Sequence, residues 1–234
     1  MKTPHKPSPV IVITGSSQGI GKTTAASFLR QGARVVINGR NPAKLQAARQ
    51  ALQELGEVIA VPGDVSNWEE MAALVKAVLQ QYGRIDVLIC NAGIKFEDRF
   101  DQTRIEVMDK IMQVNTLGVV YPIKAALDAL VESGGSIVMI SSLAGLYGLP
   151  GGAIYSASKM ALTALQQGLS LELAPRGVHV GILYVGFTEN DQDSGIINGA
   201  GELNAFPDRG LKRQPQARVA AAIQQIAARK RTYQ

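Results

Sequence analysis

Apolar runs of strand length alternate with longer segments of helical period along the whole chain. The runs VIVIT (10–14), RVVIN (34–38), VIAV (58–61), DVLIC (86–90), SIVMIS (136–141) and HVGILY (179–184) are rich in β-branched residues and apolar on both parities. That is the pattern of strands buried on both faces, as in a parallel sheet covered by helices. Three-to-four spacing of apolar positions predicts helices at about 20–31, 42–55, 68–82, 104–132, 154–174 and 215–230. The last of these carries Val219, Ile223 and Ile226 on one side, suited to packing on a sheet. Punctuation agrees with the periodicity: Gly32 and Gly83 stand where helices should stop, and Asn41-Pro42 and Ser66 where they should begin.

Repeated βα units with short connections predict right-handed crossovers and a three-layer, doubly wound parallel α/β sheet, the Rossmann fold. One domain, 1–234, accounts for the length, with residues 1–9 a frayed tail. One stretch, 186–213, has no strand or helix pattern and is rich in Gly, Asn and Asp. Its length predicts a substrate lid over 187–213 or a mobile loop.

Composition is that of an ordinary globular protein, with 46% hydrophobic and 18% charged residues. No apolar run approaches the ~18 residues of a bilayer span, and MKTPHKPSP has no apolar core of a secretory signal, so no membrane partner is expected. The single cysteine, Cys90, allows no internal disulfide and predicts a reducing, cytoplasmic location. One Cys with His5 and His179 also makes a zinc-type cluster improbable, and no metal is expected. The net charge of +5 is not spread as a stripe, because residues 212–231 hold six cations and no acid. Nucleic acid is therefore not expected as a partner; Arg229, Lys230 and Arg231 suit the carboxyl end of a helix.

Candidate chemistry begins at ITGSSQGIGKTTAA, residues 13–26. Between a strand and a helix, Gly15 permits a sharp turn, while Gly19 and Gly21 allow close approach of backbone to a bound group. The helix amino terminus then offers N–H donors and partial positive charge to a phosphate. Gly21-Lys22-Thr23 resembles the end of a triphosphatase phosphate loop, with Asp64 as the one magnesium partner, but the first glycine stands one place early for that motif. The spacing of Gly15, Gly19 and Gly21 also departs from G-x-G-x-x-G.

Thr14-Gly15-Ser16-Ser17-Gln18-Gly19-Ile20-Gly21 resembles TGxxxGIG, the cofactor loop of the short-chain dehydrogenase/reductase family. Asn91-Ala92-Gly93 resembles that family's NAG motif, Tyr155-Ser156-Ala157-Ser158-Lys159 its YxASK motif, and Asn115 stands in VNT at its helical asparagine. Ser142 lies 13 places before Tyr155, as in many members. The resemblance covers roughly residues 10–190. It implies a nicotinamide cofactor whose pyrophosphate lies on Gly15, Ser17, Gln18, Gly19, Ile20 and Gly21. It places adenine near Asp64 and Val65, the adenine ribose side along Asn91, Ala92 and Gly93, and the nicotinamide by Gly186 and Thr188. It also implies a homodimer or homotetramer, although this chain departs from most relatives in having six strands, the seventh missing or truncated, which bears on the tetrameric contacts.

The residues themselves support the same chemistry. Tyr155 and Lys159 are four apart on a helix and so share a face. An ammonium beside a phenol, whose pKa is normally near ~10, favours the phenolate and fits general acid–base work. Ser142 ends a strand at the carboxyl edge of the sheet, where it can orient a substrate oxygen or simply cap the next turn, a role that suits Ser141 better. Asn115 by resemblance links Lys159 to water through a local helix distortion, or is a solvated polar residue. These positions predict hydride transfer with a small carbonyl or alcohol, Tyr155 moving the proton; the competing class is a protein that senses NADP(H) without turnover.

Asn38-Gly39-Arg40 follows the second strand, where an acid would bind a ribose 2′-hydroxyl and an Arg accommodates a 2′-phosphate. Gly39 and Arg40 predict NADP(H), with NAD(H) possible, although Gln18 lacks the loop cation of many NADP-using relatives. Val185-Gly186 replaces the family's PG, and Asn190 a common Thr. Ile94, Phe96, Leu143, Tyr147 and Leu149 are expected to line an apolar-biased substrate pocket with the lid, and Cys90 to be a packing residue.

Overall fold

The structure is a computed structural model that describes residues 8–191, 194–207 and 210–228. The order begins β1 (Val10–Ile13), α1 (Gly19–Leu29), β2 (Arg34–Gly39), α2 (Pro42–Leu52), β3 (Val58–Pro62), α3 (Trp68–Tyr82) and β4 (Val87–Cys90). It continues with α4 (Ile105–Met112), α5 (Gly118–Ser133), β5 (Ser136–Ser142), α6 (Ala153–Leu173), β6 (His179–Val185), β7 (Ile196–Ile197), β8 (Leu203–Asn204) and α7 (Gln216–Ala228). Strands β1 to β6 form one parallel sheet in the order β3-β2-β1-β4-β5-β6. The order reverses between β1 and β4, which opens a crevice at their carboxyl ends.

The double apolar parity of the strands has a direct structural cause. Val10 and Val12 face a core with α3, α5 and α6, through residues such as Met71, Leu74, Ile123, Leu130 and Leu162. Ile11 and Ile13 face the opposite core with α1, α2 and α7, through Phe28, Leu45, Val219 and Ile223. Each such side chain contributes roughly 1.5–3 kcal/mol when fully buried, so neither parity tolerates polar residues. Local signals set the ends: the Asn41 and Asn67 side chains accept hydrogen bonds from Lys44 N and Glu70 N at the starts of α2 and α3, and Gly83 closes α3 at φ +70°.

Two expectations change. The continuous helix expected over 104–132 is broken by a π-helical turn at Gln113–Leu117. Gly118 follows it because a Cβ there would lie 2.6 Å from Val65 Cγ2. The irregular stretch 186–213 contains an antiparallel hairpin, β7–β8, with Ile196 opposite Asn204 and Ile197 opposite Leu203. It is fastened by isolated bridges between Phe96 and Ile197 and between Thr188 and Gln214.

The run Ile105–Ser133 is long and apolar enough, by length and composition, to cross a bilayer. Its buried Val114, Val119, Ile123, Ala126 and Leu130 pack within the core described above. Residues 1–7 of the expected tail, and Arg229, Lys230 and Arg231, lie outside the described residues.

Candidate active site

The loop between β1 and α1 is shaped by contacts that leave no room for side chains. Gly15 has φ +61°, and a Cβ on it would lie 2.6 Å from Ala92 Cα; on Gly21 one would lie 2.6 Å from both Asn91 Nδ2 and Gly15 O. Gly19 has φ +59° and open space where a Cβ would be. The NAG segment braces this loop. Asn91 Nδ2 donates to Thr14 O at 3.0 Å and Gly15 O at 2.8 Å, while Asn91 N and Ala92 N both donate to Thr14 Oγ1 at 3.1 Å. Thr14 therefore has a positioning role that the glycine pattern did not single out. Ser16 adds another, its hydroxyl donating to Ile13 O at 2.6 Å and accepting from Asn38 N at 3.0 Å.

The amino-terminal turn of α1 faces the crevice with its N–H donors, and Gln18 makes no side-chain cap. Gly19 N donates to Asp191 Oδ2 at 2.6 Å. A carboxylate accepting from the first helical N–H shows that this turn takes an anion, as a phosphate site requires. Gln18, Ile20 and Ser17 flank the same turn.

At the neighbouring strand end, a Cβ on Gly39 would lie 3.3 Å from Ser17 Oγ, so Ser17 and Gly39 are adjacent. Arg40 Nη1 lies 3.6 Å from Asp64 Oδ2, with Arg40 half-exposed. Burial pushes the Asp64 carboxyl up, but two hydrogen bonds from Ser66 and the Arg40 cation outweigh it and hold the group below its ordinary value. Val65 is buried against Gly118.

The Ser142, Tyr155 and Lys159 set converges at the carboxyl end of β5. The Ser142 hydroxyl hydrogen-bonds the Tyr155 phenol, and its oxygen also accepts from Ala144 N at 3.3 Å. The capping role thus falls to Ser142, while Ser141 donates to Lys159 O at 3.2 Å and ties α6 to the strand. Lys159 is buried, its Nζ donating to Ile140 O at 3.1 Å. A Cβ on Gly93 would lie 3.4 Å from that Nζ and 3.2 Å from Asn115 Oδ1, so the loop passes close to both side chains.

The electrostatics differ from the expected phenol–ammonium pair. Burial raises the Tyr155 pKa above its ordinary value, and the hydrogen bond from Ser142 is what pulls against that rise. Burial also brings Lys159 down to about 8, because a desolvated ammonium is costly. A phenol held protonated at neutral pH can donate its proton to a substrate oxygen.

Asn115 lies buried inside the π-helical turn. Its Oδ1 accepts from Ile94 N at 2.8 Å and its Nδ2 donates to Ile94 O at 3.0 Å and to Ser158 Oγ at 3.2 Å. This amide clamps the loop after β4 to α6, and it is not a solvated polar residue. Thr188 is buried, donating to Gly186 O at 3.0 Å and accepting from Gln214 Nε2 at 3.3 Å. Cys90 is buried, its thiol held well above its ordinary value by desolvation.

Phe96 packs with Val107, Ile111, Ile94, Ile154, Tyr155 and Ile197, which joins the catalytic tyrosine candidate to the hairpin. Leu143, Leu146, Tyr147, Leu149 and Phe187 are exposed apolar residues on neighbouring loops. A groove of about 430 Å³ beside Glu97, Asp98, Arg99 and Ile196 includes none of Ser142, Tyr155 or Lys159, so geometry separates it from this chemistry.

The sequence matches the family model described as short chain dehydrogenase over residues 9–199. It is similar to the glucose 1-dehydrogenase of Gluconobacter oxydans, 33% identical over 229 residues that span 95% of this chain and 86% of the relative. An uncharacterised oxidoreductase of Methylorubrum extorquens is 37% identical over 88% of this chain and 85% of its own length. Among solved structures, an alcohol dehydrogenase from the archaeon Thermococcus sibiricus complexed with 5-hydroxy-NADP superposes with a TM-score of 0.82 at 28% identity, covering 93% of this chain and 89% of that one. A short-chain dehydrogenase from Streptomyces avermitilis gives a TM-score of 0.83 at 30% identity over 94% and 84% of the two chains. The reversed strand order, the anion-accepting turn after β1 and these likenesses agree: the chain belongs to the short-chain dehydrogenase family of NAD(P)-dependent oxidoreductases.

Proposed function

We propose that the protein is an NADP(H)-dependent oxidoreductase that interconverts a small carbonyl compound and its alcohol, using Ser142, Tyr155, Lys159 and Asn115. The observation that carries this reading is the convergence at the carboxyl end of β5 of Ser142 with Tyr155, and of the buried Lys159 Nζ with Ile140 O, Gly93 and Asn115. When bound, the nicotinamide supplies or accepts the hydride. Tyr155 passes a proton to, or takes it from, the substrate oxygen, and Ser142 orients both that oxygen and the phenol. Lys159, beside Gly93, holds the nicotinamide ribose hydroxyls, and Asn115 fixes the loop that brings Gly93 there.

The residues present fit the rest of the cofactor. The α1 turn from Gly15 to Gly21 takes the pyrophosphate, Asn91, Ala92 and Gly93 the adenine ribose side, and Asp64-Val65 the adenine. Gly186 and Thr188 border the nicotinamide. Ser17 adjoins Gly39 at the end of β2 and Arg40 follows it, a cation where an acid would bind a ribose 2′-hydroxyl, which supports NADP(H) over NAD(H). The Thermococcus relative's complex with an NADP analogue supports the same choice. The rim of Leu143, Tyr147, Leu149 and Phe187 favours a substrate with an apolar portion.

The test follows NADPH absorbance with a panel of aldehydes, ketones and alcohols. Wild type should turn over at least one of them, and Tyr155→Phe should lose at least about a hundredfold in kcat while still binding NADPH. Retention of most of the turnover by Tyr155→Phe would refute the assignment.

A further inference from the structure

The carboxylate on Gly19 belongs to the lid, 172 residues away in sequence. Asp191 Oδ2 accepts from Gly19 N at 2.6 Å, and its other oxygen accepts from Gln216 Nε2 at 2.9 Å. Gln216, at the start of α7, is itself fixed by Thr23 on α1, whose hydroxyl donates to Gln216 Oε1 at 2.7 Å. Gln216 Nε2 also donates to Glu189 O at 3.2 Å, and Ser194 holds the Asp191 carbonyl through its N–H at 3.0 Å and its hydroxyl at 2.7 Å. The carboxylate is thus placed by a network, and it is bound to the N–H that the proposed function gives to the cofactor's pyrophosphate.

We infer that Asp191 is an internal mimic of the cofactor phosphate, latching the lid onto the α1 turn until a pyrophosphate displaces it. This rests on the reading of the α1 turn as the cofactor's phosphate site. One N–H cannot serve two anions at full strength, and a pyrophosphate beside a carboxylate would add like-charge repulsion. The latched and cofactor-bound arrangements therefore exclude each other. Asp191 also follows directly on Asn190, which is tied to Lys95. Lys95 Nζ donates to Asn190 Oδ1 at 2.6 Å and lies 4.3 Å from the Phe206 ring centroid, with the Arg213 guanidinium 5.6 Å from the same ring. Release of Asp191 must pull on Asn190, and through it on Lys95 and the residues near Phe206. Binding of cofactor is in this way coupled to rearrangement of the segment that carries Asp191.

The coupling has a measurable cost in affinity, since cofactor binds only the unlatched fraction; a latch closed in nine molecules of ten weakens apparent binding about tenfold. The experiment is isothermal titration of full-length wild type, Asp191→Asn and Asp191→Ala with ADP, NADPH and adenosine. Both variants should bind ADP and NADPH tighter, up to about tenfold for Asp191→Ala, while adenosine, which lacks phosphate, binds wild type and variants alike. ADP binding that is unchanged or weaker in both variants would overturn the latch while leaving the phosphate site intact. Failure of ADP and NADPH to bind wild type and variants alike would overturn the phosphate site, and the latch with it.

Discussion

At the scale of single residues, the site turns on how Tyr155 is protonated. Burial lifts its phenol and Ser142 opposes the lift, so in the proposed reaction the protonated phenol is the form that can donate to a carbonyl oxygen. Alcohol oxidation needs the phenolate, so its kcat/KM should climb as pH rises through the alkaline range. Removing the one hydrogen bond that lowers the phenol moves the climb further up. Ser142→Ala should therefore displace the oxidative pH–rate profile to higher pH and cut kcat on the order of a hundredfold, read from kcat/KM against pH in both directions. An unshifted profile would separate Ser142 from the ionisation of Tyr155. The sequence singled out this trio by resemblance to the family's YxASK motif, and the i, i+4 spacing and strand-end serine account for its placement on one helix face and at one sheet edge. It did not show that the Lys159 ammonium donates to Ile140 O, a contact that arises only when α6 packs on β5.

Elements were readable where physics acts locally. Strand ends fall within about a residue of the apolar runs because both parities are buried, and helix starts follow Asn41 and Asn67. The π-helical turn and the β7–β8 hairpin were not readable. A π turn has no composition of its own, and two-residue strands are too short for a period to emerge. Gly21 shows how such tertiary contacts override local preference. Within a helix Ala is favoured over Gly by roughly 1 kcal/mol. A Cβ on Gly21 would nevertheless lie 2.6 Å from Gly15 O and 2.8 Å from Ser16 Cα, backbone atoms that cannot step aside. Gly21→Ala should lower stability by about 1–2 kcal/mol in denaturant melts and weaken NADPH binding, with overpacking the larger effect.

Across the whole molecule, the proposed cofactor runs along the carboxyl edge of the sheet from β2 to β6, and its two ends meet different groups. Arg40 lies at the β2 end, half-exposed and shared with Asp64, so a 2′-phosphate must compete with a carboxylate already there. Its contribution is correspondingly modest. Arg40→Ala should weaken NADPH binding roughly fivefold and leave NADH binding within error, measured by fluorescence titration of both. Equal losses for both cofactors would remove Arg40 from the choice between them. Asp191 was invisible to sequence reasoning for the same long-range reason: its partner, Gly19, is brought near only by folding of the entire sheet.

The bridge between Thr188 and Gln214 has a consequence for how the protein can diversify. It pins the two ends of the intervening segment side by side, immediately after β6 and before α7. Residues can be added or removed between those ends with only a slowly growing entropic cost, and without disturbing the register of β1 to β6. Exchange of the segment at Thr188 and Gln214 would leave Ser142 on β5 and Tyr155 and Lys159 on α6 in their frame, while replacing the contact of Ile197 with the Phe96 cluster and that of Asp191 with Gly19.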